Sequence, residues 1–196
     1  MATTTITRPK KATGVQYSRT RSITWLGGNQ GSIDCYVSGR AGRIGEPLTV
    51  VGLPNRNRSR AATEYGIRSA INAGGFNVPR QILIDVFAKD RIKGMTGPLD
   101  LAMVTMALSA SKQIEPVDWP TLIVGYVNGD GEFISCGEEL AQCVYDRIRQ
   151  LSGYQLICPK ALLEEMPING AFEYAPIGLE HIGDLRTHPV FNEPLG

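Results

Sequence analysis

The sequence predicts a single α/β domain in which short strands alternate with helices. The chain has 196 residues, a length typical of one domain with a sizeable core. Its composition, 42% hydrophobic and 20% charged, is that of a globular protein. Strand-like and helix-like segments follow one another without an internal repeat, which indicates a sheet covered by helices in two or three layers.

Strands are predicted where short apolar or alternating runs lie between turn residues. These runs are residues 15–25, 33–37, 48–51, 81–87, 121–127, 132–134, 154–158 and 172–176. Helices are predicted from residue 57 or 59 to 74, over 98–111, 137–151 and 159–166, and near 179–185. The helix that begins at Pro98 is apolar on nearly every side, so we expect it to be central and buried.

The apolar runs are too short for a membrane span. The longest, residues 99–108, is interrupted by Asp100 and Thr105, whereas a spanning helix needs about 20 apolar residues. We predict a water-soluble protein without membrane contact, with a flexible basic arm over residues 1–13, a domain over 14–187 and a tail over 188–196. The four cysteines lie in or beside apolar segments and show no C-x-x-C spacing, which favours a reduced, cytoplasmic protein.

The two halves of the chain carry opposite charge. Residues 1–100 contain 15 Lys and Arg against 6 Asp and Glu, a balance of +9, and residues 101–196 contain 5 against 13, a balance of −8. A basic half can bind a polyanion, and the two halves could also meet head to tail in an oligomer. Both surfaces could equally be no more than solvated.

Two basic segments form the main candidate binding site. Each lies at the end of a predicted element, where guanidinium and ammonium groups could contact phosphates. The residues concerned are Arg56, Arg58, Arg60, Lys89, Arg91 and Lys93. The sequence shows no helix-turn-helix, zinc-finger or aromatic stacking motif, so any nucleic-acid binding is expected to be directed at the backbone and sensitive to salt.

Five ordered segments resemble the N-terminal Lon-protease-like domain of the ComM/YifB group of magnesium-chelatase-like ATPases. The segments are residues 15–19 (VQYSR), 48–54 (LTVVGLP), 68–76 (RSAINAGGF), 98–102 (PLDLA) and 122–125 (LIVG), and the likeness covers roughly residues 12–186. The resemblance implies the two-layer fold of the Lon proteolytic domain. In that domain a serine at the start of a buried helix is deprotonated by a lysine on a later helix.

Both catalytic groups that the resemblance implies are missing here. Leu99 occupies the likely serine position, and Glu139 lies where the lysine would be needed. The family's ATPase module carries a G-x-x-x-x-G-K-[ST] motif, which this chain lacks, so we expect neither peptidase nor ATPase activity. The expected function is a non-catalytic Lon-like interaction or oligomerisation module, accessory to a nucleic-acid-processing or AAA+ machine, with a protein partner or a second copy.

Two alternatives stay open from the sequence. The chain could be an accessory protein that binds the DNA backbone through the basic segments. It could also be a hydrolase with a relocated site at Ser109, Ser111 or Cys136. No cofactor and no metal are expected, because His181 and His188 stand seven residues apart in a segment with Pro189.

Overall fold

A computed structural model describes residues 18–27, 30–54, 60–89, 91–117, 119–167 and 172–192. The strands are β1 (Arg19–Trp25), β2 (Ser32–Ala41), β3 (Thr49–Val51), β4 (Ile82–Phe87), β5 (Thr121–Ile123), β6 (Tyr126–Val127), β7 (Phe133–Ile134), β8 (Gln155–Pro159) and β9 (Ile177–Leu179). The helices are α1 (Arg60–Ala73), α2 (Asp100–Ala110), α3 (Glu138–Arg149), α4 (Lys160–Glu164) and α5 (Asp184–Thr187). Two 3₁₀ turns span Gly97–Leu99 and Pro189–Phe191.

Seven strands form one mixed sheet in the order β3-β4-β2-β1-β5-β8-β9. Only β2 runs antiparallel to its neighbours, and the other paired strands of this sheet are parallel. Strands β6 and β7 form a separate antiparallel pair. The α/β class predicted from the sequence is confirmed.

Helix α2 is the centre of the fold, as its apolar composition predicts. Its residues from Asp100 to Ser109 are all buried, and Leu101 and Met106 have no exposed surface. Gly39 of β2 allows this close packing, because a Cβ atom at Gly39 would collide with the backbone carbonyl of Met106. The helix backbone therefore lies directly on the sheet.

Helices lie on both faces of the sheet, so the domain has three layers. On one face α1 and α2 form the larger core cluster with inward residues of β2, β3 and β4. On the other face α3 packs through Leu140, Val144 and Ile148 against β1, β5 and β8. The two-layer arrangement implied by the resemblance is not found, whereas the inner face predicted for α1 is confirmed: Thr63, Ile67, Ala70 and Ile71 are buried.

Several predicted elements are wrong in their bounds, and the strand predicted at 33–37 extends over Ser32–Ala41. The predicted strand 121–127 is split, because the N–H of Gly125 donates to the Pro98 carbonyl at 2.9 Å and its carbonyl accepts from Leu101 N–H at 3.0 Å. The backbone at this glycine thus bonds to the start of α2 and leaves the sheet. The last strand lies at Ile177–Leu179 and the last α-helix at Asp184–Thr187, both later than the sequence pattern predicts.

The packed domain extends to Phe191, beyond the boundary predicted at residue 187. Val190 and Phe191 have no exposed surface, and the carbonyl of Phe191 accepts from Glu115 N–H at 2.8 Å. The predicted basic arm, residues 1–13, lies outside the described residues. Within the described ranges, no helix has both the length and the apolar character needed to cross a bilayer.

We predict that Leu101→Asp or Met106→Asp abolishes cooperative folding. An unpaired carboxylate on this buried helix costs several kcal/mol, against a total stability of about 5 to 15 kcal/mol. Circular dichroism during thermal melting checks the prediction, with Asn72→Asp on the exposed side of α1 as the control. A Leu101→Asp protein that melts cooperatively at the wild-type midpoint would show that α2 is peripheral.

Candidate functional site

The face of the sheet that α3 covers is left partly open. The core cluster on this side contains no residue of β2, β3 or β4. Register places Arg21, Tyr36 and Phe87 opposite one another on three adjacent strands, so their side chains point to the same face. Tyr36 is half-buried and Phe87 is 40% exposed. Among the described residues, no helix packs over this row.

Five side chains on this open region form an arginine–aromatic cluster, which consists of Arg19, Arg21, Tyr36, Phe87 and Tyr154. The rings of Tyr36 and Phe87 stack with centroids 5.3 Å apart and planes 20° apart. The Arg19 guanidinium carbon lies 4.1 Å from the Tyr36 centroid and 4.8 Å from that of Phe87. The corresponding carbon of Arg21 lies 5.1 Å from the Tyr36 centroid and 5.0 Å from that of Tyr154. These are cation–π distances, so the rings hold both cations in place.

Neither arginine of the cluster has a carboxylate within 4.0 Å in the described part of the chain. Arg21 donates from Nη2 to the Tyr36 hydroxyl at 2.6 Å, while its buried Nε has no acceptor among the described residues. A cavity of about 340 Å³ adjoins the cluster and is lined by Arg19, Thr20, Arg21, Tyr36, Pro120, Thr121 and Tyr154. The site therefore places two guanidinium cations beside an open cavity.

The basic segments predicted from the sequence are only partly described. Arg56 and Arg58 lie outside the described residues. Arg60 is exposed at the start of α1 and its Nε lies 3.4 Å from Glu64 Oε1. Arg91 and Lys93 are exposed in the connection between β4 and the turn before α2. Because Glu64 offsets the charge of Arg60, this end of α1 offers less attraction to an anion than its sequence indicates.

Lys89 lines a groove of mixed charge. The groove, about 620 Å³, lies between the start of β2 and α3, and its lining includes Asp34, Glu139 and Asp146. Arg147 crosses this groove and forms a bidentate ion pair with Asp34 through Nε and Nη2. The carboxylates around Lys89 make this groove a poor site for an anion.

The two positions that the resemblance assigns to catalysis hold groups that cannot perform it. Leu99 ends the 3₁₀ turn before α2 and is completely buried. Glu139 is exposed in the first turn of α3. An aliphatic side chain offers no nucleophile, and an exposed carboxylate is a weaker base than the desolvated lysine of a Ser–Lys pair.

The alternative nucleophiles are also engaged locally. Ser109 Oγ lies 2.5 Å from Ser18 Oγ, and Ser111 Oγ donates to the Leu108 carbonyl at 3.1 Å. Cys136 Sγ donates to the Ile134 carbonyl at 3.1 Å. Burial, with added repulsion from Glu165 and Asp100, raises the pKa of the Cys136 thiol to about 11.

The histidines serve the local structure of the chain end. His181 Nδ1 accepts from Gly183 N–H at 3.0 Å, and His188 Nδ1 accepts from Val190 N–H at 3.3 Å. Within the described ranges, no three His, Cys, Asp or Glu side chains gather into a group that could hold a metal ion.

The sequence interpretation missed the arginine–aromatic cluster because its members come from four separate segments. The signal available was the spacing of Arg19 and Arg21 two residues apart, which places both on one face of a strand. The partners Tyr36 and Phe87 become neighbours only through the register of β1, β2 and β4. Register of this kind is set by tertiary pairing, not by any local pattern.

We predict that iodoacetamide modifies Cys136 slowly at pH 7 and faster as the pH rises toward 11. The thiolate is the reactive form, and a pKa of about 11 leaves roughly one thiol in ten thousand ionised at pH 7. Mass spectrometry of the modified peptide measures the rate, with the urea-unfolded chain as the control. Rapid modification of Cys136 in the folded protein at pH 7 would support a nucleophilic role and would contradict the raised pKa of this thiol.

A scan against models of known protein families finds no match for this chain, and a search of curated proteins finds none either. The resemblance to the Lon-like domain of the ComM/YifB group therefore stays a prediction made from sequence segments.

Proposed function

We propose that this chain is a non-catalytic binding module that holds an anionic partner on the open part of its sheet. The observation that carries the proposal is the pair Arg19 and Arg21, two guanidinium cations that form no ion pair with a described carboxylate. Surface arginines are commonly mobile and solvated. Here the rings of Tyr36 and Tyr154 restrain both side chains.

This restraint favours binding for a physical reason. An anion that binds a mobile arginine must order a long side chain, which opposes association. The contacts with Tyr36 order these side chains before any partner arrives. The guanidinium of Arg19 is exposed, and an oxyanion could accept charge-assisted hydrogen bonds from it. Each contact with the anion therefore costs less side-chain entropy than it would with a mobile arginine.

The residues at the positions where a nucleophile and a base would be needed support a function without catalysis. Leu99 is buried and Glu139 is exposed, and the thiol of Cys136 is held in its neutral form. The sequence resemblance supports an accessory role beside a larger nucleic-acid-processing or AAA+ machine. A second copy of the chain is a further candidate partner, since residues 101–196 carry the balance of −8.

We predict that the pure protein hydrolyses neither casein nor ATP, because the candidate nucleophiles Ser109, Ser111 and Cys136 bond to a hydroxyl or to backbone carbonyls and not to a base. Fluorogenic casein and phosphate-release assays measure the two activities, with a Ser109→Ala, Ser111→Ala, Cys136→Ala triple variant as the control. Turnover that persists through a second purification and disappears in the triple variant would establish an enzyme.

We predict that the protein binds heparin, a polyanion without bases, and that added salt releases it. The Arg19→Gln, Arg21→Gln double variant should leave a heparin column at clearly lower salt. Arg149→Gln should elute with the wild type. Arg149 is a matched control because its guanidinium also lies over a tyrosine ring, 5.5 Å from the Tyr145 centroid, but on α3.

Light scattering on the same samples tests self-association as the source of the anion. A mass above the monomer that falls in the double variant would identify the second copy as the partner. A wild-type protein that passes through the heparin column without retention, and stays monomeric, would contradict the proposed function.

A further inference from the structure

The arginine–aromatic cluster is a layered arrangement of flat groups. The guanidinium of Arg19 covers parts of two stacked rings, Tyr36 and Phe87. The guanidinium of Arg21 lies between the rings of Tyr36 and Tyr154. Arg19 is exposed, and its guanidinium is a planar cation with N–H groups along its edges.

We propose that this cluster binds single-stranded nucleic acid. Unpaired bases stack on the exposed guanidinium of Arg19 and against the exposed part of the Phe87 ring, and the charges of Arg19 and Arg21 attract the phosphates. This assignment rests on the proposed function and specifies its anionic partner. It uses the two attractions by which single strands are held without sequence preference, namely stacking on planar side chains and neutralisation of the backbone.

A single strand fits the cluster better than a duplex does. In a duplex the faces of the bases are covered by their neighbours in the stack, so only phosphates could reach Arg19. The adjoining cavity of about 340 Å³ lies near the lower end of the range of ligand pockets, roughly 300 to 1,000 Å³, a size suited to one base turned out of the strand. Tyr154 and Pro120 supply apolar walls for such a base.

An acidic peptide fits the cluster less well. Extended peptides commonly bind a sheet by pairing with an unpaired edge strand. The cluster lies on β1, β2 and β4, and each of these strands is paired on both sides. Among the described strands, β3 and β9 are the two edges of the sheet. A peptide could therefore use the charge of the cluster but not the backbone hydrogen bonds that give peptide recognition its strength.

Nearby carboxylates set the direction in which a strand can leave the cluster. Asp34 is engaged by Arg147, and Glu139 and Asp146 line the groove beyond it. Asp85 points to the same face as Phe87, two residues before it on β4. A polyanion that contacts Arg19 and Arg21 is thus repelled from the groove and from Asp85, which lies level with Arg19 across Ser38 of β2.

The test compares labelled oligo(dT) with an abasic deoxyribose-phosphate oligomer of the same length, by fluorescence anisotropy. The two probes carry the same backbone charge and differ only in the bases. We expect oligo(dT) to bind at least about tenfold more tightly, since stacking contributes about 1 to 3 kcal/mol per base. Arg19→Gln should weaken both probes.

Arg19→Lys separates stacking from charge. Lysine keeps the positive charge but lacks the planar guanidinium, so this variant should retain its affinity for the abasic oligomer and lose most of the advantage of oligo(dT). Arg19 is exposed, so neither substitution removes a buried contact. Phe87→Ala, at a residue that is 40% exposed, provides a second variant that removes stacking without removing charge. Arg149→Gln is the control and should bind both probes as the wild type does.

Each result has a defined meaning. Equal affinity for the two probes, with retention on heparin through Arg19 and Arg21, would overturn the nucleic-acid assignment and leave the proposed function standing. Binding of neither probe and no retention on heparin would overturn both. Tight binding of oligo(dT) that Arg19→Lys, Arg19→Gln and Phe87→Ala all leave unchanged would place the nucleic acid elsewhere and overturn the site. A shift of the oligomer mass in Arg19→Gln, without oligo(dT) binding, would assign the cluster to an interface between copies.

Discussion

The burial of α2 against the sheet is the constraint on which the rest of the structure depends. All ten residues from Asp100 to Ser109 are buried, so the helix has no face to present to solvent. The close contact at Gly39 brings the helix backbone onto β2, and the carbonyl of Gly125 anchors its first turn. Because α2 must be enclosed on every side, α1 and the segment that includes Val190 and Phe191 pack around it on one face of the sheet.

This enclosure explains why the opposite face is open. Helix α1 and the segment around Phe191 pack on the same face of the sheet as α2. This leaves α3 as the main cover of the other face. One helix spans only part of a seven-stranded sheet, and α3 lies over β1, β5 and β8. The side chains of β2 and β4 that point to this face must therefore tolerate water. Three residues meet that requirement. Tyr36 and Asp85 carry polar groups, and the Phe87 ring lies beneath the Arg19 guanidinium.

The sequence predicted best the elements whose pattern is local. Burial of α2 followed from its uniform apolar composition, and the inner face of α1 followed from the spacing of Thr63, Ile67 and Ala70. It predicted poorly what depends on contacts distant in sequence. The apolar run through Gly125 looks like one strand, yet its backbone bonds to Pro98 and the strand is split. The arginine–aromatic cluster was missed for the same reason, since Arg21 and Phe87 meet only after three strands pair.

The two oppositely charged halves of the sequence meet in the fold at one groove. The groove beside α3 is the boundary, where Asp34 from the basic half pairs with Arg147 from the acidic half. Each of these two residues carries the sign that is in the minority in its own half, so the pair joins the halves without like-charge repulsion. Lys89 faces Glu139 and Asp146 across the same groove, and its charge is offset there. Arg19 and Arg21 form no ion pair with a described carboxylate, and so an anion is drawn to their end of the sheet.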